Sequence, residues 1–519
     1  MNVPAPDVRP REKRVSGAVL RTLHRCERRL HLDHHAPDVA GPESDHARML
    51  RERAIEHERR VRDQFPGATG PIRARFATME EAADETLRLI RESRATLHRP
   101  VFLSPRDGAS AIPDLVYWED DGLVVHAAKL ATRLQNHDEI RAQLTHEAVV
   151  IEESTGLRPR IEITSGRFEV LPVEPFPDTR YQALRSRAQA ILDGGPEPDL
   201  LRAHSDCENC PYYRHCWSSA EDAGRLEVVR GLRRTLLPTL RAIGVHTVAD
   251  LAAIDPGRLR EIPSFAETAD ILIGAATAAR DRSPVWIQNP QLPAGRPIVW
   301  LDLEAASAMV GDDTIIYLWG LAIDDGTGEP AVEMIWGDLT PGGDVAGWHR
   351  FLARAEHILA HYPDAIWVHY ASFERTWIQR YAERHGDPGQ VAGRVLARTF
   401  DLLEEALEPC VHLPLRSLSI KHVAPYTGFT WSDPEAGSTW SMAQYRKACE
   451  TGIPSERDAL LARIAAYNRD DLGAMRSVWR WLERHAPGGT RPAPPAAAAA
   501  SATPSRPRTQ GGEQIAFDL

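Results

Sequence analysis

The sequence predicts a multidomain α/β protein, on three observations. The chain has 519 residues, more than one core usually serves. A strand-like run, PIVWLDLE, opens a stretch in which strand and helix patterns alternate up to residue 486, as layered α/β domains do. The stretch before it, 223–290, reads as wholly helical, and that change of texture marks a boundary. The expected divisions are 1–222, 223–290, 291–486 and 487–519. Apolar residues make up 43% and charged residues 26%, the balance of a soluble globular chain. No run is long and apolar enough to span a bilayer, and the start MNVPAPDVRPREKRVSG lacks the apolar core of a signal peptide, so a cytoplasmic protein is expected. A net charge of −11 argues against a generally basic coat for nucleic acid, although a local basic groove is compatible with it.

Residues 1–222 mix helical and strand-like runs and end on CENCPYYRHC. Six cysteines in a chain of this size do not suggest a disulfide framework. Cys207, Cys210 and Cys216 are spaced C-x2-C-x5-C, and Cys26 lies far upstream in LHRCERRLHLDHH. Four thiolates can close an iron–sulfur cluster or a tetrahedral zinc site; unligated cysteines are the plain alternative. AIEHERR carries His57 and Glu58, AIPDLVYW carries Asp114, and the following strand, LVVHAAKLATR, carries Lys129. Glu119, Asp120 and Asp121 read as a solvated turn. Together these motifs resemble the RecB-like nucleases, a PD-(D/E)XK restriction-endonuclease-like fold stapled by iron and sulfur. The resemblance implies a [4Fe–4S] cluster on Cys26, Cys207, Cys210 and Cys216 in preference to zinc. It implies catalytic roles for His57, Asp114 and Lys129, and a helicase as partner. It also implies a metal-binding acid two residues before the lysine, where Ala127 stands, and a Q-x-x-x-Y motif whose last position is Glu147 after Gln143. Asp114 and His57 alone hold a cation poorly, and Lys129 then has no activated water to assist. The expectation is a catalytically degenerate domain that binds DNA.

Residues 223–290 contain LLPTLRAIGVHTVADLAAIDPGRLREIPSF. Gly244 and Val245 fit a hairpin, with Leu240, Val248 and Leu251 on its packing faces. The segment resembles a helix-hairpin-helix, which offers backbone N–H groups to a phosphate without reading sequence. A second copy near Ile262 has Pro263 and Ser264 in place of glycine. A plain helical spacer is the alternative.

In 291–486, Val299, Trp300, Leu301 and Leu303 make VWLDLEA a buried strand. Asp302 and Glu304 are two apart and therefore project from one face. Two carboxylates on one core face repel each other and cost desolvation, and a divalent cation between them removes both problems; an exposed strand end with solvated acids is the alternative. Ile366–Tyr370 reads as a strand and Ala371–Glu383 as a helix with Glu374 in its first turn, where an acid also suits the helix dipole. Farther on, Leu461, Ile464, Leu472, Met475, Trp479 and Leu482 form a helical apolar stripe, with Tyr467 and Asp471 stacked four apart beside it. Over 297–483 these segments resemble the DEDD exonucleases of the RNase H-like superfamily, in their tyrosine branch. HYASFE, TFDLL, LSIKHVAPYTGFTW and YNRDD follow in order, as in the ribonuclease H-like domain of predicted RecB-family nucleases. The resemblance implies 3′-to-5′ exonuclease activity with two Mg²⁺ or Mn²⁺ ions on Asp302, Glu304, Glu374 and Asp471. Glu374 stands where many families carry Asp. Tyr467 would orient the attacking water, and Asp401 and Lys421 are second-tier candidates, near the metals and on phosphate or substrate respectively, with a plain surface role the alternative for each.

From Pro487 the chain becomes a Pro/Ala/Ser/Gly tract with little to bury, which predicts a disordered tether. Its end, QIAFDL, resembles the bacterial sliding-clamp-binding hexapeptide, with Gln514, Phe517 and Leu519 as anchors; a frayed terminus is the alternative. The function expected is a metal-dependent 3′-to-5′ exonuclease acting on DNA in repair or recombination. A non-catalytic DNA-binding recruitment module and an exonuclease acting on RNA stay open.

Overall fold

A computed structural model describes residues 14–43, 45–120, 122–131, 137–200, 207, 210–293, 297–306, 314–340, 342–433, 437–488 and 491–492. The chain forms two compact units that part between Cys216 and Trp217, and both are α/β.

In the N-terminal unit, helix α1 (Gly17–Arg25) begins at Ser16, whose side chain accepts from the Val19 N–H, a standard N-cap. Cys26 alone separates it from α2 (Glu27–His35) and caps that helix, its Sγ accepting from the Arg29 N–H at 3.4 Å. Helix α3 (Asp45–Arg62) carries His57. A reciprocal capping box between Thr78 and Glu81 starts α4 (Met79–Ser93). Five strands, β1 (Leu97–His98), β2 (Leu115–Glu119), β3 (Gly122–Ala128), β4 (Arg160–Thr164) and β5 (Val170–Pro172), lie in that spatial order. Only β3 and β4 are parallel, and α5 (Asp138–Thr155) makes the crossover between them, the long connection that parallel strands require.

Early in the second unit come two short helices, α6 (Leu237–Ala242) and α7 (Val248–Ala253). Gly244 between them has φ +85°, a left-handed position that glycine takes without a Cβ clash. Leu240, Val245, Val248 and Leu251 are buried around the turn. Pro263 and Ser264 precede buried Phe265 and helix α8 (Ala269–Asp281). The stretch 223–290 is not wholly helical, because Val285–Trp286 pairs with Val411–His412; the pairing partner is more than a hundred residues away and invisible to local periodicity.

The main sheet of this unit contains β6 (Ile298–Ala306), β7 (Ile315–Asp324), β8 (Ala331–Trp336), β9 (Ile366–His369) and β10 (Thr399–Asp401), ordered β8–β7–β6–β9–β10. The pairs β8/β7 and β7/β6 are antiparallel, and β6/β9 and β9/β10 are parallel. Strand alternation divides β6 between two cores. Val299, Leu301 and Leu303 pack with Trp348, Phe351 and Ile378 of α9 (Asp344–His361) and α10 (Phe373–His385). Trp300 faces the other way, into a cluster with Leu472, Met475 and Trp479 of α13 (Pro454–His485). Asp302 and Glu304 share the Trp300 face and so look toward α13. The expected stripe of α13 is present, with Leu460 rather than Leu461 buried at its start. Helix α10 begins at Phe373, later than the sequence pattern suggests, because Ala371 adopts φ +65° and breaks the run between strand and helix. Two further helices, α11 (Ile420–Tyr426) and α12 (Ser438–Glu450), precede α13. No described helix is long and apolar enough to cross a membrane.

Candidate metal centre

Asp302, Glu304 and Asp471 converge, with one carboxylate oxygen of each lying within 4.8 Å of the others. Strand β6 supplies two of them from its α13-facing side, and α13 supplies the third across the core. The strand acids are not both solvated: Glu304 is 4% exposed and Asp302 is half-buried. Burial first, and then the neighbouring negative charges of Asp471, Glu304 and Glu374, hold the Asp302 carboxyl well above its ordinary range. Burial and Asp471 raise Glu304 in the same way.

Each carboxylate is fixed by dedicated partners. Asn468, fully buried on α13, donates from Nδ2 to Asp302 Oδ2 at 2.5 Å. The antiparallel register sets Gly320 opposite Asp302, and a Cβ at Gly320 would collide with Asn468 Oδ1; the bare glycine is what lets Asn468 in. Pairing shifts between Glu304 and Ala305, leaving Tyr317 as the extra residue on β7, a β-bulge of the kind that re-aims side chains. Its hydroxyl donates to Glu304 Oε2 at 3.3 Å and lies 2.6 Å from Ser441 Oγ. Asp471 Oδ1 accepts from Lys421 Nζ at 2.8 Å and from Trp431 Nε1 at 2.6 Å. The Lys421 ammonium sits 4.1 Å from the ring centres of both Trp431 and Tyr467. Lys421 therefore touches a carboxylate of the centre, closer than its second-tier expectation. Tyr467 is 3% exposed, and burial together with the Asp471 charge pushes its hydroxyl well above its ordinary pKa.

Glu374 stands beside the triad but outside its 4.8 Å group. It is 5% exposed, its Oε2 is buried with no hydrogen-bond partner, and burial followed by the Asp401 charge raises its pKa. Asp401 is held by backbone donors. Its Oδ1 accepts from the N–H groups of Ala371, Leu403 and Glu404 at 3.0, 3.0 and 3.1 Å, so it caps the helical turn Leu402–Leu407 and pins the backbone just before Glu374. His369 Nδ1 donates to the Ala371 carbonyl at 2.6 Å and completes the clamp.

An orphaned buried carboxylate oxygen beside three converging carboxylates is the donor set of a hard divalent ion. Among the described residues it is the one group of three or more ligand-type atoms gathered this closely. Cys26, Cys207, Cys210 and Cys216 form no such group. Burial first, with smaller effects that include the thiols of Cys26 and Cys210, raises the Cys216 pKa; burial, with Cys26 among the lesser causes, raises Cys210. His57 is 5% exposed and engages the Thr164 carbonyl through Nε2 at 3.2 Å. Lys129 Nζ lies 3.9 Å from Asp114 Oδ2. Gln514, Phe517 and Leu519 lie outside the described residues.

Sequence reading missed Asn468, Gly320, Tyr317, Ser441 and Trp431. Asn468 had a signal, since it lies three residues before Asp471 and shares its helix face. The others become visible only through strand register and long-range packing.

No curated protein matches the chain. Residues 299–483 match the sequence model RNase_H_2 of the RNase_H superfamily, a span that contains all three converging carboxylates, and the domain holding this centre is RNase H-like.

Proposed function

We propose that the protein is a metal-dependent 3′-to-5′ exonuclease acting on DNA. The observation that carries this reading is the convergence of Asp302, Glu304 and Asp471 in a buried, acid-raising setting. Those three residues, with Glu374 next to them, would hold two Mg²⁺ or Mn²⁺ ions. Bound there, such ions supply an activated water and charge on the leaving oxygen. Tyr467 keeps its proton, because burial opposes the phenolate, and its hydroxyl holds the attacking water in place. Asn468 and Tyr317 keep two carboxylates in their ligating rotamers. Lys421 offsets part of the negative charge and reaches toward a phosphate of the strand. Asp401 acts through the Ala371 backbone to place Glu374 and is a positioning residue.

The test uses the full chain with Mn²⁺ and strands labelled at either end, as single-stranded DNA, duplex DNA and RNA. The expected result is stepwise shortening of 5′-labelled DNA. It disappears in Asp302→Asn and Asp471→Asn, a larger loss than the roughly 10–100-fold that removing an outer partner of a metal ligand costs. Unchanged shortening in both variants would overturn the assignment, and preferential loss of RNA would transfer the substrate to RNA.

Three accessory readings belong with this one. The thiols of Cys26, Cys207, Cys210 and Cys216 would hold a [4Fe–4S] cluster, a reading carried by the cysteine spacing alone; broad visible absorbance, lost in Cys26→Ser, tests it. The N-terminal unit would bind DNA beside a helicase partner. The terminus carrying Gln514, Phe517 and Leu519 would dock on a sliding clamp, and clamp capture with and without the last six residues decides that.

A further inference from the structure

The two oxygens of Asp471 have unequal surroundings. Oδ1 accepts from Lys421 Nζ at 2.8 Å and from Trp431 Nε1 at 2.6 Å. A carboxylate oxygen offers about two acceptor positions, so these donors fill Oδ1 and leave Oδ2 to face an ion. A related device recurs on β6, where Asn468 donates to Oδ2 of Asp302 and the Tyr317 hydroxyl to Oε2 of Glu304. At Asp471 the closure is double, by an ammonium and an indole.

Both donors are held from behind. Lys421 projects from α11, and its ammonium lies 4.1 Å from the ring centres of Trp431 and Tyr467, a cation–π seat on two sides. Trp431 belongs to a strap, residues 428–433, that runs along α13 in the opposite sense. Phe429 rests against Gly473, where a Cβ would stand 3.1 Å from its ring. Trp431 reaches Asp471. Ser432 donates from its N–H and its hydroxyl to Asp470 Oδ2 at 2.7 and 2.6 Å. Arg463 of α13 donates to Asp433 Oδ2 at 2.8 Å. Phe429 and Trp431 also meet edge to face, with ring centres 5.1 Å apart. These anchors fix the indole N–H on Oδ1, so the Asp471 carboxylate is not able to turn and offer both oxygens to an ion.

Divalent ions differ in how they use a carboxylate. Ca²⁺ gathers about 6–8 oxygens in flexible geometry and takes carboxylates through one oxygen or both. Mg²⁺ is smaller and holds to a near-ideal octahedron, and octahedral oxygen sites suit Mn²⁺ as well. The narrow bite of a chelating carboxylate fits an octahedron poorly. We propose that Trp431 and Lys421 set the ion selectivity of the centre: by closing Oδ1 of Asp471 they deny Ca²⁺ a chelating carboxylate and favour Mg²⁺ and Mn²⁺. The inference rests on the reading of Asp302, Glu304 and Asp471 as metal ligands. In this role both residues act through Asp471, as positioning residues.

The experiment measures binding rather than turnover. Mn²⁺ is titrated into the full chain, free Mn²⁺ is followed by electron paramagnetic resonance, and Ca²⁺ is then added as competitor. The ions of this centre are those lost when Asp302→Asn and Asp471→Asn are introduced together. Trp431→Phe keeps a ring beside Lys421 and removes the N–H; Lys421→Met keeps the stem and removes the ammonium. Loss of the lysine's charge acts on both ions alike, so the readout is the ratio of Ca²⁺ to Mn²⁺ affinity. That ratio should rise roughly tenfold in the double variant, and by less in each single one, with the melting temperature as folding control. Trp431→Phe alone decides the matter where the double variant fails to fold. A ratio unchanged by the substitutions while Mn²⁺ still binds overturns this inference and leaves the metal centre standing. No Mn²⁺ bound at this centre in the unaltered chain overturns both.

Discussion

At the scale of single residues, the centre depends on groups outside the converging carboxylates. Asn468 holds Asp302, and Gly320 makes the space for Asn468. Gly320→Ala should overpack this spot and cost about 1–3 kcal/mol, lowering the denaturation midpoint, and should weaken Mn²⁺ binding by roughly 10–100-fold. Asn468→Ala should reproduce the loss of Mn²⁺ affinity without the steric clash. A titration in which Gly320→Ala binds Mn²⁺ normally would contradict this chain of support. A second residue sets a pH limit in the N-terminal unit. His146 is fully buried and neutral, with Nδ1 at 3.0 Å from the Tyr181 hydroxyl and Nε2 at 3.2 Å from the Ser110 carbonyl. Burial, reinforced by Arg185, lowers its pKa to about 4. The unfolded chain takes up the proton first, near the ordinary histidine value. The stabilisation is therefore full above pH ~6.5 and is lost as pH falls toward 4, by roughly 3 kcal/mol in all. Urea midpoints between pH 7 and 4.5 should show this fall, and His146→Gln should flatten it.

At the scale of elements, the junction between β9 and α10 is where the fold stores strain for the site. Ala371 has φ +65°, a conformation that costs a residue with a Cβ about 1–2 kcal/mol, and Asp401 and His369 grip its two backbone groups. This kink separates a strand from the helix that opens with Glu374. Ala371→Gly should raise stability by up to about 1 kcal/mol in chemical denaturation. Asp401→Ala releases three N–H groups and should cost about 1–2 kcal/mol, the scale of a lost cap, with reduced nuclease rate because Glu374 is no longer held. If Asp401→Ala left both stability and rate unchanged, the clamp would have no role. Much of this element-level pattern was legible in advance. The β6 alternation and the α13 stripe are local periodicities, and burial follows them. The kink was not, because Ala371 is a helix-forming residue whose conformation is imposed by a side chain thirty positions later.

At the scale of the whole molecule, the RNase H-like unit is built around mutual repulsion. Burial and neighbouring negative charges raise the proton affinity of Asp302, Glu304 and Glu374, and a divalent ion held there would turn that cost into binding energy. Mn²⁺ at a hundredfold over its dissociation constant should stabilise the chain by about 2.7 kcal/mol, seen as an upward shift of the melting transition that chelator reverses. In Asp302→Asn the shift should shrink sharply. A melting curve insensitive to Mn²⁺ in the unaltered chain would argue against a metal centre here.

The sequence by itself determined the layered α/β character, the strand that carries Asp302 and Glu304, the helix that carries Tyr467 and Asp471, and the chemistry those residues share, because each is written in a period of two or of about four residues. Only the tertiary structure decided which acids meet. It put Glu374 beside the triad, set Asp401 as a clamp on the backbone before Glu374, and brought Lys421 and Trp431 onto Asp471. Those outcomes rest on strand register, a β-bulge and the packing of helices across a core, contacts between residues far apart in the chain that no local pattern encodes.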